Sequence, residues 1–230
     1  MRLLVNDFNP SILIDVGIDF SLNSPAVCIE DHNGKYTFIS FFNFGGRLWD
    51  SKKIPKAFQL HRDLSDNGTI MSIPYNREVS SKDFLTRERQ KLDDGKNIAE
   101  LIVNIIATLN GTQNTRIGLE GFSYGSKGNS FIDIVQYNTF LRSMLLNAYG
   151  TEKISVYQPS HVKKLAGKGN ANKHYMIKAF QDDVLGDKEL RNTKLWKWSQ
   201  GKDFSEKIPK PLDDLVDSYF ILKCLQQKDL

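Results

Sequence analysis

The chain has 230 residues, 40% hydrophobic and 25% charged, and its 31 Lys+Arg against 27 Asp+Glu leave a formal net charge of +4. Those proportions exclude a disordered or fibrous chain, and the length suits one large domain or two small ones that need neither disulfide nor structural metal to hold a core. The basic excess is compatible with a nucleic-acid partner and too small to demand one, so the placement of the charges decides the matter.

The N-terminus has no signal-peptide core, because Asn6, Asp7, Asn9 and Pro10 interrupt it, and no apolar run approaches the roughly 18 residues that cross a bilayer. The protein is expected to be soluble and cytoplasmic, with no membrane partner. Residues 12–20, 26–29 and 36–42 read as three strands. Asn23-Ser24-Pro25 and Asp31-His32-Asn33-Gly34 punctuate them, the second as a good hairpin turn, so antiparallel neighbours are expected. Cys28 and Cys224 lie in apolar runs outside any Cys/His cluster, where thiols serve as small hydrophobes in a reducing compartment. Residues 45–80 are polar, carry no sustained period, end in a Pro74-Tyr75-Asn76 break and read as a long loop or insertion.

A helix is predicted over 81–109, because Ile98, Leu101, Ile102, Ile105 and Ile106 recur at helical spacing, and Asn110-Gly111 ends it. A strand over 115–120 and a Gly/Ser loop over 121–130 follow. A second helix then carries the apolar stripe Ile134, Val135, Phe140, Leu141, Met144 and Leu145. Another strand at 153–157 leads into a basic loop, a short helix near 173–180, a charged and irregular segment over 182–210, and a last helix over 212–227. The fold class is therefore α/β: a mixed five-stranded sheet, three antiparallel strands and then βα units, with helices on both faces. We read it as a single domain over 1–230 with insertions near 45–80 and 182–210.

Carboxylates stand where burial makes them expensive. Asp19 ends one apolar strand and Glu120 another, and the last helix carries Asp213, Asp214 and Asp217 within otherwise apolar text. Asp214 and Asp217 are three apart on a helix and share a face; Asp213 and Asp217, four apart, approach similarly. Ionised together near a core they would cost several kcal/mol, about 2–7 for each unpaired polar group alone, unless protons or cations neutralise them. Oxygen-only donors suit Mg²⁺ or Mn²⁺, and two such ions about 3.5–4 Å apart can activate water and stabilise the leaving oxygen in an in-line attack on a phosphodiester. For Asp213, at the start of a helix after Pro211, capping is the stronger reading. Asp15 shares a strand face with Asp19, and residue chemistry alone leaves the choice between them open.

At these residues the sequence resembles the RuvC family of Holliday-junction resolvases, within the RNase H-like superfamily. The resemblance rests on Gly17-Ile18-Asp19, on Leu119-Glu120, on Pro159-Ser160-His161-Val162-Lys163-Lys164 with Gly167-Lys168-Gly169-Asn170-Ala171-Asn172-Lys173, and on Asp214-Leu215-Val216-Asp217. It implies a catalytic and metal-binding tetrad of Asp19, Glu120, Asp214 and Asp217 that holds two Mg²⁺ ions, with Mn²⁺ able to substitute. It also selects Asp19 over Asp15. The implied activity is cleavage of branched DNA, four-way junctions foremost, leaving 5′-phosphate and 3′-hydroxyl ends. The family's two basic positions fall on Lys163 and Lys173; Lys164 and Lys168 extend the DNA-facing set, and Phe122 and Tyr124 straddle the place of the family's aromatic wedge without matching its register. A homodimer is implied because symmetric cuts need two active sites, and the helix over 132–146 is a candidate interface, with core packing expected for at least half of its residues. A phage origin fits so compact and divergent a member.

The run Lys194-Leu195-Trp196-Lys197-Trp198 interleaves basic and aromatic residues, as a nucleic-acid track or as local core. Two other readings use the same residues: a nuclease of this fold acting on RNA–DNA hybrids or flaps, and a non-catalytic DNA-binding module. Four acidic positions weigh against the second, since carboxylates near a polyanion weaken binding unless metals occupy them.

Overall fold

The computed structural model describes residues 13–43, 70–77, 79–110, 114–122, 129–200, 208 and 210–227. Its strands are β1 (Ile14–Asp19), β2 (Ala26–Glu30), β3 (Tyr36–Asn43), β4 (Ile70–Tyr75), β5 (Thr115–Glu120) and β6 (Ile154–Tyr157). They form one sheet in the order β4-β3-β2-β1-β5-β6. β1, β2 and β3 pair antiparallel, with Gly17 opposite Cys28 and Cys28 opposite Phe38, while β5 joins β1 in parallel and β6 joins β5 in parallel. Three antiparallel strands followed by parallel ones is the RNase H-like order that the sequence led us to expect.

Strand alternation sends successive side chains to two separate cores. On one face, α1 (Phe84–Asn110) and α2 (Asn129–Tyr149) bury Ile98, Ile102, Ile106, Tyr137, Leu141 and Leu145 against Val16, Ile18, Val27 and Ile117. The other face is covered by α3 (Pro159–Leu165), α4 (Lys173–Val184), α5 (Lys188–Asn192), α6 (Lys194–Ser199) and α7 (Leu212–Gln226). There Phe180, Leu215, Tyr219 and Leu222 meet Ala26, Cys28 and Phe38. Covering both faces explains why the central strands read as continuous apolar runs. Both cysteines are free and buried in the second core, where burial pushes the Cys28 thiol up and the Cys224 thiol up to about 12.

The expected five strands are six. β4 lies within the segment read as a loop and pairs in parallel with β3, Phe42 opposite Pro74. A proline is tolerated on such an outer strand because its missing N–H faces away from the ladder, and the same proline had suggested a break. The basic loop after β6 begins with α3, which Pro159 opens from the first helical turn, where a proline costs no hydrogen bond.

The segment over 182–210 is not irregular where it is described. The Asp187 carboxylate accepts from the Glu189 and Leu190 N–H groups at 2.9 and 3.0 Å to cap α5, and the Thr193 hydroxyl accepts from the Trp196 N–H at 3.2 Å to cap α6. Trp196 and Trp198 pack against the second core, so the basic and aromatic run is local core. Among the described residues no helix is long and apolar enough to cross a membrane.

Candidate active site

Two glycines set the position of the site. Gly17 of β1 and Gly118 of β5 are directly opposite in the parallel ladder, and α7 lies across both. A Cβ on Gly17 would run into the Ser218 carbonyl oxygen and the backbone nitrogen of Leu222, and would stand 2.8 Å from Leu222 Cβ; one on Gly118 would be 3.1 Å from the Ile221 carbonyl oxygen. Only bare strands let the helix backbone come this close. The approach brings the first turns of α7, with Asp214 and Asp217, over the C-terminal ends of β1 and β5. Ile18 lies opposite Leu119, so Asp19 and Glu120, the last residues of those strands, emerge side by side.

The electrostatics of the four carboxylates register that convergence. Burial pushes the Asp19 carboxyl well above the usual carboxylate range, and the charges of Asp217, Asp214 and Glu120 add to the push while Lys210 opposes it. Asp217 is raised to about 7, first by burial and then by Glu120, Asp214 and Asp213, with Lys173 in opposition. Burial also raises Glu120, against the pull of Lys163. Asp214 is raised by burial and by Asp213, against Lys210 and the hydrogen bonds it receives. Like charges that destabilise one another in this way remain ionised only when cations sit among them.

Lysines supply part of that compensation. Lys173 and Lys210 both reach Asp213 Oδ2, the second at 3.1 Å, and Lys210 also donates to Asp214 Oδ1. Ser24 Oγ donates to the other oxygen, Asp214 Oδ2, at 2.6 Å. Asp213 does not cap its helix: no side chain caps α7, and its carboxylate is buried on the two lysines with Oδ1 left unpartnered. Neither Ser24 nor Lys210 was singled out from sequence. Ser24 sits in a stretch that reads as turn punctuation, and Lys210 stands four residues before Asp214, outside any helix pattern that would have paired them.

Asp15 has partners of its own outside this group. Arg116 grips it with two parallel bonds, Nε to Oδ1 at 2.8 Å and Nη2 to Oδ2 at 2.9 Å, and Gln226 Nε2 donates to Oδ2 at 3.3 Å. Of the residues expected from sequence to face DNA, Lys163 bears on Glu120 and Lys173 reaches Asp213, while Lys168 lies over the Tyr175 ring at 4.4 Å and Lys164 lines a cavity with His161, Leu165 and Gln227. Phe122 follows Glu120 closely, with the Arg142 guanidinium 4.5 Å from its ring centroid and Phe131 in a T-shaped contact at 6.1 Å between centroids. Arg142 also donates to the Glu120 carbonyl at 3.2 Å, which ties the aromatic to the strand end. Tyr124 lies outside the described residues. On the expected interface helix, Tyr137, Leu141 and Leu145 are core, whereas Ile132 and Leu146 are exposed.

As they stand, no three acidic, imidazole or thiol groups among the described residues are arranged to hold a metal ion. The donor chemistry nonetheless fits a hard divalent cation. The ligands on offer are all oxygen, they repel one another, and lysines already occupy Asp213 and Asp214 as a cation would. No protein-family model matches the chain, and no curated protein matches it significantly. Among solved structures, RuvC from Thermus thermophilus is similar at 11% identity and a TM-score of 0.47, over 93% of this chain and 96% of that one.

Proposed function

We propose that this chain is a divalent-metal-dependent endonuclease that cuts branched DNA, four-way junctions foremost, and leaves 5′-phosphate and 3′-hydroxyl ends. The observation that carries the reading is the meeting of Asp19, Glu120, Asp214 and Asp217 from three separate segments, each pushed up by burial and two of them, Asp19 and Asp217, also by others of the four. These four residues would hold the ions, Mg²⁺ with Mn²⁺ as a substitute. When bound, such ions supply an activated water and stabilisation of the leaving oxygen in an in-line displacement.

The remaining roles belong to the chain. Lys163 and Lys173, at the rim of the carboxylates, face a phosphodiester and offset its charge; Lys164 and Lys168 extend the basic surface along the backbone. Phe122, beside Arg142 and Phe131, offers a ring on which an unpaired base can stack, and Tyr124, two residues on in sequence, is the second aromatic assigned to that role. Cutting two opposed strands takes two copies, and Ile132 and Leu146 are the exposed apolar residues of α2 that a second copy would cover.

The deciding experiment offers purified protein a labelled four-way junction, a flap, an RNA–DNA hybrid and a linear duplex, with Mg²⁺, with Mn²⁺ and with chelator. Symmetric cuts in the junction that need either metal are expected. Preference for the hybrid would move the reading to RNase H-type chemistry, and no cleavage of any substrate with either metal would overturn it.

A further inference from the structure

Three lysines among the described residues bear on the acidic group, and Lys210 is the one that bridges two of its carboxylates. Its ammonium reaches Asp213 Oδ2 at 3.1 Å and also Asp214 Oδ1, while its side chain stays 43% exposed and the two aspartates only 4 and 5%. The two oxygens of Asp214 are therefore both engaged, Oδ2 by the Ser24 hydroxyl and Oδ1 by Lys210. The serine bond is compatible with ligation, because an outer donor on one oxygen orients a carboxylate that binds through the other. The lysine contact competes with ligation, since an ammonium and a divalent ion held on the same oxygen repel each other at close range.

We propose that Lys210 is a built-in counter-cation of Asp214 that a divalent metal ion displaces, with Asp213 keeping the released ammonium at the rim beside Lys173. The proposal rests on the metal-centre reading above. Without metal, a buried carboxylate with no counter-charge is costly, and Lys210 meets that cost from a flexible, solvent-reaching stem. A compact divalent ion shared among several carboxylates outcompetes a single ammonium at Asp214. Asp213, which holds both lysines through one oxygen, is the anchor that survives the exchange.

Calorimetric titration with Mn²⁺ alone, together with thermal melts of the metal-free protein, tests this. K210M is expected to bind Mn²⁺ about threefold tighter or better while melting at a lower temperature without metal, opposite signs that a merely structural lysine would not give. K210R, which keeps the charge, is expected to bind no tighter than the wild type. K163M removes a charge that bears on Glu120 and not on Asp214, and is expected to gain less than K210M. Wild-type or weaker affinity in K210M, an equal gain in K163M, or no Mn²⁺ binding by either the wild type or K210M would overturn the proposal. Protein that binds Mn²⁺ as described yet cuts no nucleic acid removes the nuclease reading alone and supports the counter-cation.

Discussion

Asp15 and Asp19 sit four residues apart on the same face of one strand, about 13 Å from each other, under the same helix. At the Asp15 end, the last turn of α7 contributes Gln226, and β5 contributes Arg116 with a two-bond grip. At the Asp19 end, the first turns of α7 bring Asp214 and Asp217, and β5 brings Glu120. The same three elements thus build a closed ion pair at one end and an open pile of like charges at the other. A buried carboxylate with a dedicated partner is costly to separate from it, whereas one surrounded by its own kind is the arrangement that the proposed cation would neutralise.

Replacing each aspartate by asparagine should separate the two ends most sharply. Asp19→Asn is expected to reduce junction cleavage by about 1,000-fold or more, since the variant removes a carboxylate proposed to hold the metal. It should also raise the melting temperature of the metal-free protein, because a charge opposed by burial and by Asp217, Asp214 and Glu120 is gone. Asp15→Asn should leave cleavage within about twofold and cost about 1–3 kcal/mol of stability, the penalty of a guanidinium left without its acceptor. Melting curves and cleavage rates of the two variants check this. If both variants melt lower, or if Asp15→Asn cuts activity as deeply as Asp19→Asn, the two ends are not different in kind.

The pH dependence of stability sharpens the contrast. Asp217 keeps its proton up to about 7 in the folded, metal-free protein, whereas the ordinary value is 3.8. Between those values the folded state binds more protons than the unfolded one, so metal-free stability falls as pH rises from about 4 to 7. Metal binding requires the ionised forms, so the stabilisation by Mn²⁺ grows over the same window. Melts at pH 5 and pH 8, with and without Mn²⁺, should show the gap widening, and Asp217→Asn should flatten the metal-free slope. Equal slopes in the wild type and in that variant would place the proton elsewhere.

What was legible in the sequence follows the same division between local and distant causes. The apolar periods of β1, β2, β3 and α1 are local patterns and read correctly, and so does the order of the longer elements, with β4 and the short helices α5 and α6 missing from it. Glu120, Asp214 and Asp217 could be singled out because each ends or interrupts an apolar run, visible without knowing what lies opposite, whereas only the family resemblance selects Asp19 over Asp15. The partners were not visible. Ser24 looks like any turn serine until the β1–β2 connection is folded against α7, 190 positions away in sequence. Asp213 looks like a capping residue until Lys173, 40 positions away, arrives on it. β4 was missed because Pro74 reads as a break, and only its place at the outside of the sheet makes it harmless.

The smallest expected effect probes how finely the Asp19 end is built. Ser24 Oγ is 2.6 Å from Asp214 Oδ2 in a buried setting, and Ser24 N–H donates to Ser21 Oγ at 3.1 Å, so the β1–β2 turn is both braced within itself and fastened to α7. Ser24→Ala removes one donor of the about 0.5–1.5 kcal/mol class and leaves Asp214 with the Lys210 contact, the one the metal is proposed to displace, so Mn²⁺ affinity should weaken by up to about tenfold. A serine that only fastens the turn would lower the melting temperature and leave metal affinity where it was. A serine that orients the ligand must change affinity even at temperatures far below the melt, because the turn stays in place on its other contacts, among them the Tyr75 hydroxyl donating to the Leu22 carbonyl at 2.5 Å. Titrating Mn²⁺ into Ser24→Ala well below its melting point distinguishes the two.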